Sequence, residues 1–192
     1  WRAGAYNSAR HSTAMIPAPM TDSLPVALYT AAQVRELDAR LIAAGTPGFE
    51  LMQRAAHAAW RALRRRWPDA GAVTVLAGRG NNAGDGYLLA ALAQRAGWQV
   101  RVLAVGDPQA LQGDAAQALA EARASGVVVE PWHSEVPLQG VLVDALLGTG
   151  IAGDVREPYV AAIEAINASE LPVLAIDLPS GLCANSGRVL GH

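Results

Sequence analysis

Short apolar runs alternate with segments of helical periodicity along most of this chain, and this alternation constrains the fold more than any other feature. Each run is continuously apolar, as is typical of strands that have helices on both faces. Repeated strand–helix units predict an α/β fold with a parallel sheet and right-handed crossovers. The runs predicted to be strands are residues 73–77, 99–105, 127–129, 141–144 and 173–177.

Helical patterns fill the intervals and also precede the first strand. Thr30 and Gln33 are spaced as a capping box, and apolar residues then recur on one helical face until Gly45. The second helix is predicted to stop before Pro68, which cannot continue it. The helices predicted after the first one span residues 49–67, 85–96, 114–124 and 159–168.

Length and composition limit the classes of function. At 192 residues the chain is the size of one domain, which we expect to occupy residues 20–192 after a disordered leader at 1–19. The formal net charge of −2 gives no electrostatic basis for binding nucleic acid or an anionic membrane. No apolar run approaches the length of about 20 residues that a membrane span needs. The lone cysteine, Cys183, favours a reducing, cytoplasmic location.

The segment "GRGNNAGDG" at residues 78–86 lies between a predicted strand and a predicted helix. It has three interpretations: a dinucleotide-binding fingerprint, a site for a cation and phosphate, or a plain glycine-rich turn. Its G-x-G-x-x-A spacing fits the fingerprint loosely, but Asp107 comes late for the acid that holds the ribose. Asp85 would also place a carboxylate where a pyrophosphate should bind. These two details disfavour a standard NAD-dependent oxidoreductase.

Polar residues follow three of the predicted strands at their carboxyl ends, where ligands bind in open parallel sheets. Taken singly, each has a structural alternative, since Asn82 and Asp85 could cap a helix and the others could form turns. Their shared placement predicts a single site. These residues are Asn81, Asn82 and Asp85 after the first strand, Asp144 and Gly148–Gly150 after the fourth, and Asp177 and Ser180 after the fifth.

The types of residue narrow the chemistry of that site. Oxygen-bearing side chains such as Asn82, Asp144 and Ser180 suit a hard cation, and no Cys and His cluster favours zinc. Residues 178–182 do not match the nucleophile elbow of a serine hydrolase, and only His192 follows them as a base. A hard cation is therefore the metal that these residues favour.

Three motifs, in this order, resemble the YjeF N-terminal domain family, the NAD(P)H-hydrate epimerases: "GRGNNAGDGYLLA", "VDALLGTG" and "AIDLPSGLCANSG". The resemblance covers residues 28–190 approximately. It implies a three-layer αβα sandwich with a mostly parallel, Rossmann-like sheet, usually as a homodimer. It also implies an isomerase that interconverts the R and S forms of hydrated NADH and NADPH (NADHX and NADPHX), so that a partner dehydratase can restore the cofactor.

The resemblance also implies roles for individual residues. Asp177 would be the acid/base group and would contact the substrate. A potassium ion would be bound by Asn82, Asp144 and Ser180. The phosphates of NAD(P)HX would be contacted by Asn81, Asn82, Ala83, Gly84 and Asp85. The loop that closes over the ligand would consist of Gly148, Thr149, Gly150, Ile151, Ala152, Gly153 and Asp154.

The chemistry of epimerisation is consistent with these residue types. The inverted carbon bears a ring nitrogen and a hydroxyl, so inversion through an iminium or through ring opening needs a positioned proton donor and acceptor. It requires neither a redox group nor a covalent nucleophile, and Asp177 is an available carboxylate. A cation beside the loop would also offset part of the repulsion between Asp85 and a pyrophosphate.

Two features depart from the family pattern. Ala83 stands where a second glycine is usual, and it would be strained by about 1 kcal/mol if its position required a positive φ. The sequence ends soon after the third motif, so we expect the sheet to be truncated and to lack the family's C-terminal strands. In many bacteria that continuation leads to a fused ADP-dependent dehydratase domain. The alternative to an enzyme is a non-catalytic YjeF-type module for dimerisation or binding.

Overall fold

The computed structural model describes residues 27–151 and 153–191, so the expected leader at 1–19 lies outside the described residues. The helices in the described part are α1 (Ala31–Ala43), α2 (Gly48–Arg66), α3 (Asn81–Arg95), α4 (Gly113–Ala124) and α5 (Tyr159–Ala168). The strands there are β1 (Ala72–Ala77), β2 (Gln99–Ala104), β3 (Val128–Pro131), β4 (Val141–Ala145) and β5 (Val173–Ala175). A 3-10 turn at Pro108–Ala110 follows β2. The predicted strands and helices are therefore all present, with small differences in their bounds.

The strands form one sheet in the order β3-β2-β1-β4-β5, and every neighbouring pair is parallel. This confirms the predicted parallel sheet. The order changes direction between β1 and β4, which is where doubly wound sheets open a crevice for ligands. Ala77 lies opposite both Ala104 and Ala145, so β1, β2 and β4 end at the same level. The loops that follow them consequently share one edge.

Helices cover both faces of this sheet. One face packs Val73, Val75 and Val143 against α2, α3 and α4 in the main hydrophobic core. The opposite face packs Leu76 and Leu142 against α5 in a smaller cluster. Because consecutive residues of a strand point to opposite faces, a continuously apolar strand supplies both clusters. The fold is the expected three-layer αβα sandwich.

Helix α3 begins at Asn81, four residues before the predicted start at Asp85. The prediction placed the start late because glycine and asparagine disfavour a helix interior. Packing overrides that preference. A Cβ atom added to Gly84 would lie 2.6 Å from the Sδ atom of Met52 on α2, and one added to Gly86 would lie 2.5 Å from the Cβ atom of Ala145 on β4. These glycines let α3 approach α2 and the sheet closely.

Helix α1 has the predicted capping box between Thr30 and Gln33, but its apolar face is largely exposed. We call this face the α1 stripe; it consists of Val34 (40% exposed), Leu37 (46%), Leu41 (45%) and Ile42 (49%). A hydrogen bond of 2.9 Å from the Ala31 amide to Asn185 Oδ1 joins the start of α1 to the C-terminal loop. Within the described residues, none of the helices combines the length and the apolarity needed to cross a bilayer.

Candidate functional site

Side-chain hydrogen bonds connect the loops that follow β1, β4 and β5. The Asn82 amide donates to the carbonyl oxygen of Leu147 at 3.0 Å. The Leu147 amide donates to Ser180 Oγ at 2.9 Å, and the Thr149 amide donates to Asp177 Oδ2 at 2.7 Å. The predicted gathering of these loops at one edge is therefore observed. Loop β4–α5 lies in the middle and contacts the other two.

Asp144 and Ser180 form a buried pair at the centre of this edge. Their exposed fractions are 5% and 9%. Ser180 Oγ donates to Asp144 Oδ1 at 2.6 Å, and the Ser180 amide donates to Asp144 Oδ2 at 2.8 Å. Among the ion pairs of the described residues, none includes Asp144. A buried carboxylate without a positive partner is costly, so this position favours a bound cation.

Asn82 adds an unused oxygen next to that pair. Its side chain is 8% exposed, and Asn82 Oδ1 is buried without a hydrogen-bond partner in the described structure. The alternative that Asn82 caps the helix is wrong, because α3 starts earlier than predicted and its N-cap residue is Gly80. Glycine has no side chain, so this helix has no side-chain cap. A buried acceptor without a partner needs an explanation such as an ion or a water.

The oxygen atoms around this position fit a hard cation. Asn82 Oδ1, the Asp144 carboxylate and Ser180 Oγ are joined by the carbonyl of Leu147, which lies 3.2 Å from Ser180 Oγ. No group of three or more His, Cys, Asp and Glu side chains that could hold a metal occurs within residues 27–151 and 153–191. A cation here would therefore be held by one carboxylate and several neutral oxygens, a set that suits a hard ion of low charge.

The first turn of α3 offers unpaired backbone amides to an anion. Its first internal hydrogen bond runs from the Gly84 amide to the carbonyl of Gly80 at 3.3 Å, so the amides before Gly84 have no partner within the helix. Such amides and the helix dipole favour a phosphate. Ala83 lies inside the helix and not among the residues with positive φ, so the strain considered for Ala83 does not arise.

Asp85 lies one turn further along α3 and is partly buried. Burial, and secondly the negative charge of Asp177, raise the pKa of Asp85 to about 7. Its carboxyl group therefore carries little charge below neutral pH. Asp85 also lies beyond the first turn, towards the end of β5. These two facts reduce the repulsion that Asp85 would exert on a pyrophosphate at the start of α3.

The glycine-rich loop after β4 packs closely against Asp177. A Cβ atom added to Gly148 would lie 2.5 Å from Asp177 Oδ2 and 3.4 Å from the Cβ atom of Asn82. Only glycine leaves room for that carboxylate. Further along the loop, Gly150 has nothing within 4 Å of an added Cβ, and Asp154 is exposed. Ile151 and Gly153 continue the loop, while Ala152 lies outside the described residues.

The motif analysis missed three groups at this edge. The carbonyl of Leu147 has no side-chain signal in the sequence, since its role depends on its position. Arg35 on α1 donates to the carbonyl of Thr149 at 3.4 Å, and no local pattern connects residues so far apart. Arg79 is part of the first motif but was treated only as a spacer. Its location is described below.

A cavity of about 480 Å³ lies on the α5 side of the Asp144–Ser180 pair. Its lining is mainly apolar and includes Ile163, Ile166 and Val173. Neither Asp85 nor Asp177 lines it. Asp144 and Ser180 also line this cavity, whereas the amides at the start of α3 and the Asp177 carboxylate lie outside its lining. A polar ligand is therefore expected at those groups and not in the cavity.

Comparison with known proteins identifies the family. The family described as "YjeF-related protein N-terminus" matches residues 48–192. The chain belongs to this family. A NAD(P)H-hydrate epimerase of Achromobacter xylosoxidans is 36% identical over 166 residues, covering 85% of this chain and 77% of that protein. The NAD(P)H-hydrate epimerase of Rhodopirellula baltica is 35% identical, covering 83% and 67%. The resemblance inferred from the three motifs is thus confirmed.

Two further proteins are similar to this chain, one of them much longer and one with a solved structure. The bifunctional NAD(P)H-hydrate repair enzyme Nnr of Coxiella burnetii is 45% identical over 165 residues, covering 85% of this chain and 34% of that enzyme. This chain therefore spans about a third of the bifunctional relative. The crystal structure of yeast ynu0 (YNL200c) has the same fold, with a TM-score of 0.71, 23% identity, and coverage of 82% of this chain and 72% of that one.

Proposed function

We propose that this domain epimerises NADHX and NADPHX, interconverting their R and S forms for repair of the nicotinamide cofactors. The observation that carries the proposal is the hydrogen bond between Thr149 and Asp177 at the ligand-binding edge of a YjeF-related sheet. Two relatives whose sequences this chain covers over two thirds or more of their length are named NAD(P)H-hydrate epimerase. A carboxylate at this edge is the acid/base group that the reaction needs.

The substrate would bind along the carboxyl ends of β1, β4 and β5. Its pyrophosphate would accept hydrogen bonds from the free amides of Asn81, Asn82 and Ala83 at the start of α3. Gly84 would contribute backbone only, since it has no side chain and an added Cβ atom would clash with Met52. Asp85 would contact the substrate as a carboxyl group whose raised pKa keeps it partly protonated at neutral pH. The hydrated nicotinamide ring would then lie beside Asp177, under the loop of residues 148–154.

Asp177 would transfer the proton in both directions. In its protonated form it gives a proton to the hydroxyl of the hydrated carbon, which leaves as water while the ring nitrogen supplies electrons to form an iminium. The planar iminium then turns its other face to Asp177, whose carboxylate accepts a proton from the water that adds to that face. The ring-opening route would use the same carboxyl group. In either route the carbon inverts without any net oxidation.

We also propose that potassium is the cation held by Asn82, Asp144 and Ser180. The unpaired Asn82 Oδ1 and the uncompensated Asp144 carboxylate support it. When bound, such an ion supplies positive charge beside the carboxylates of the site. The chain's own contribution is to keep three loops joined through Leu147 and Ser180.

The assembly of the enzyme is part of the proposal. We propose a homodimer in which the α1 stripe packs against its own copy, since large apolar side chains are rarely left exposed in a contiguous patch. The charges on α1 sum to zero, so two α1 helices would carry no net repulsion. The charged residues are Arg35, Glu36, Asp38 and Arg40. We further propose a cytoplasmic enzyme that works with a fused or separate ADP-dependent dehydratase. The name of a bifunctional repair enzyme among the relatives supports a second, fused activity.

The test is a time course that starts from one resolved epimer of NADHX. Wild-type protein should equilibrate the R and S forms faster than buffer alone, as followed by chiral chromatography. Asp177→Asn should lower that rate by about 100- to 10,000-fold, whereas Asp69→Asn, an exposed site before β1, should not. Equal rates with and without wild-type protein would reject catalysis and leave the binding module as the function.

A further inference from the structure

Arg79 crosses the carboxyl end of β2. It lies in the loop between β1 and α3, and a Cβ atom added to Gly106 would lie 3.0 Å from its Cδ atom and 3.3 Å from its Cγ atom. Gly106 comes two residues after β2 and has a φ of +103°. The Val105 amide donates a hydrogen bond of 2.8 Å to the carbonyl of Ala77, which keeps the ends of β1 and β2 together. The side chain of Arg79 therefore extends over the second strand of the sheet.

The acidic residue after β2, Asp107, already accepts a backbone hydrogen bond. Asp107 Oδ1 accepts a hydrogen bond of 2.8 Å from the Gln109 amide and caps the 3-10 turn. Sheets of this type that bind NAD use an acid near the end of the second strand to hold the ribose hydroxyls, whereas an arginine accommodates a 2′-phosphate. Here Asp107 Oδ1 accepts from the backbone, and an exposed arginine side chain lies over the end of the same strand.

The charge of Arg79 is available to a ligand. None of the four ion pairs within the described residues involves it. Burial raises the pKa of Tyr159 at the start of α5, and the positive charge of Arg79 offsets part of that rise. Arg79 thus lies at the carboxyl edge of the sheet, on the β2 side of the crevice between β1 and β4, with its charge close enough to affect Tyr159.

We propose that Arg79 binds the 2′-phosphate of the adenosine ribose and makes the domain prefer NADPHX to NADHX. This deepens the proposed function by naming the substrate form that the site selects, and it rests on that function for its catalytic consequence. The physical basis is a planar guanidinium that can donate two parallel hydrogen bonds to one phosphate group. A ligand that lacks the 2′-phosphate would leave that charge solvated and unused.

Calorimetry with two fragments tests the binding without any turnover. Adenosine 2′,5′-bisphosphate should bind to the wild-type protein about tenfold to 100-fold more tightly than adenosine 5′-monophosphate. Arg79→Gln should remove that difference, and Arg79→Lys should restore part of it. Arg65→Gln removes the same charge from the last turn of α2, at the opposite edge of the sheet, and should keep the difference. Equal binding of the two fragments by wild type, or binding of neither at millimolar concentration, would overturn the proposal.

Kinetics separate this inference from the proposed function. Arg79→Gln should reduce kcat/KM for NADPHX about tenfold or more while changing that for NADHX little. Equal losses for both substrates would reject Arg79 as the discriminating residue. If wild type epimerised neither substrate but still distinguished the two fragments, the epimerase function would fail and the 2′-phosphate site would stand.

Discussion

Asp177 accepts a hydrogen bond of 2.7 Å from the backbone amide of Thr149. The carboxylate that we assign to proton transfer is thereby held by the loop that we assign to ligand closure. A movement of this loop would move Asp177 as well, which links closure of the site to alignment of its acid/base group.

Gly148→Ala should impair catalysis more than it impairs folding. The added Cβ atom would lie 2.5 Å from Asp177 Oδ2, the end of a side chain that can rotate away. The carboxylate would then lose its bond to Thr149, so kcat should fall by about tenfold or more because the proton donor is misplaced. Thermal melting should show only a small change in Tm. Gly150→Ala adds the same methyl group to the same loop in open space and should cost less activity; an equal loss would contradict the proposed displacement of Asp177.

Potassium should stabilise the protein through Asn82. Replacing tetramethylammonium by potassium should raise the Tm of the wild type, since a ligand that binds only the folded state stabilises it. Asn82→Ala removes the unpaired oxygen and should abolish most of that rise. Asn167→Ala, an exposed position on α5, is the matched control and should keep it. A rise of the same size in Asn82→Ala would exclude Asn82 as a ligand.

Asp85 should make stability depend on pH. Its pKa is raised to about 7 in the folded state, so folding favours the protonated carboxyl group. Its stabilising effect is complete below about pH 4 and is lost as the pH rises towards 7. The excess stability of Asp85→Asn over wild type should therefore grow by about 2–3 kcal/mol between pH 5 and pH 8. Urea unfolding in potassium-free and sodium-free buffer measures it.

The control for this pH dependence is a variant that removes an exposed carboxylate. Asp69→Asn changes an exposed acid outside the site, and its stability difference from wild type should stay constant from pH 5 to pH 8. If Asp85→Asn behaved like Asp69→Asn, the carboxyl group of Asp85 would be ionised throughout this range and the assigned burial effect would be wrong.

The α1 stripe should control the oligomeric state. Leu37→Ser with Leu41→Ser should convert the proposed dimer to a monomer, because two exposed leucines would no longer be buried against the second copy. Light scattering after gel filtration measures the mass. Asp38→Ser, on the same helix, should leave the dimer intact. A wild-type protein that is monomeric at all concentrations would contradict this use of the α1 stripe.

Much of the fold could be predicted because it depends on local pattern. The capping box at Thr30, the bounds of α5 and the parallel sheet followed from spacing and apolar runs. The start of α3 could not be predicted from the same rules, because Gly84 and Gly86 are poor helix formers that are tolerated for their close packing. Site residues that follow the ends of strands were predicted, because ligands bind at that edge of a parallel sheet. The Leu147 carbonyl and Arg35 were missed, because their place at the site depends on packing.

The sequence by itself determined the alternation of strands and helices, and with it the edge at which Asn82, Asp144 and Asp177 meet. Hydrophobic periodicity and parallel connection are consequences of local covalent geometry, so they can be read without coordinates. Only the tertiary structure decided that Asn82 Oδ1 has no partner, that Asp85 is partly desolvated and that Arg79 lies over Gly106. Burial, charge compensation and the direction of a side chain depend on residues distant in the chain, which no local pattern specifies.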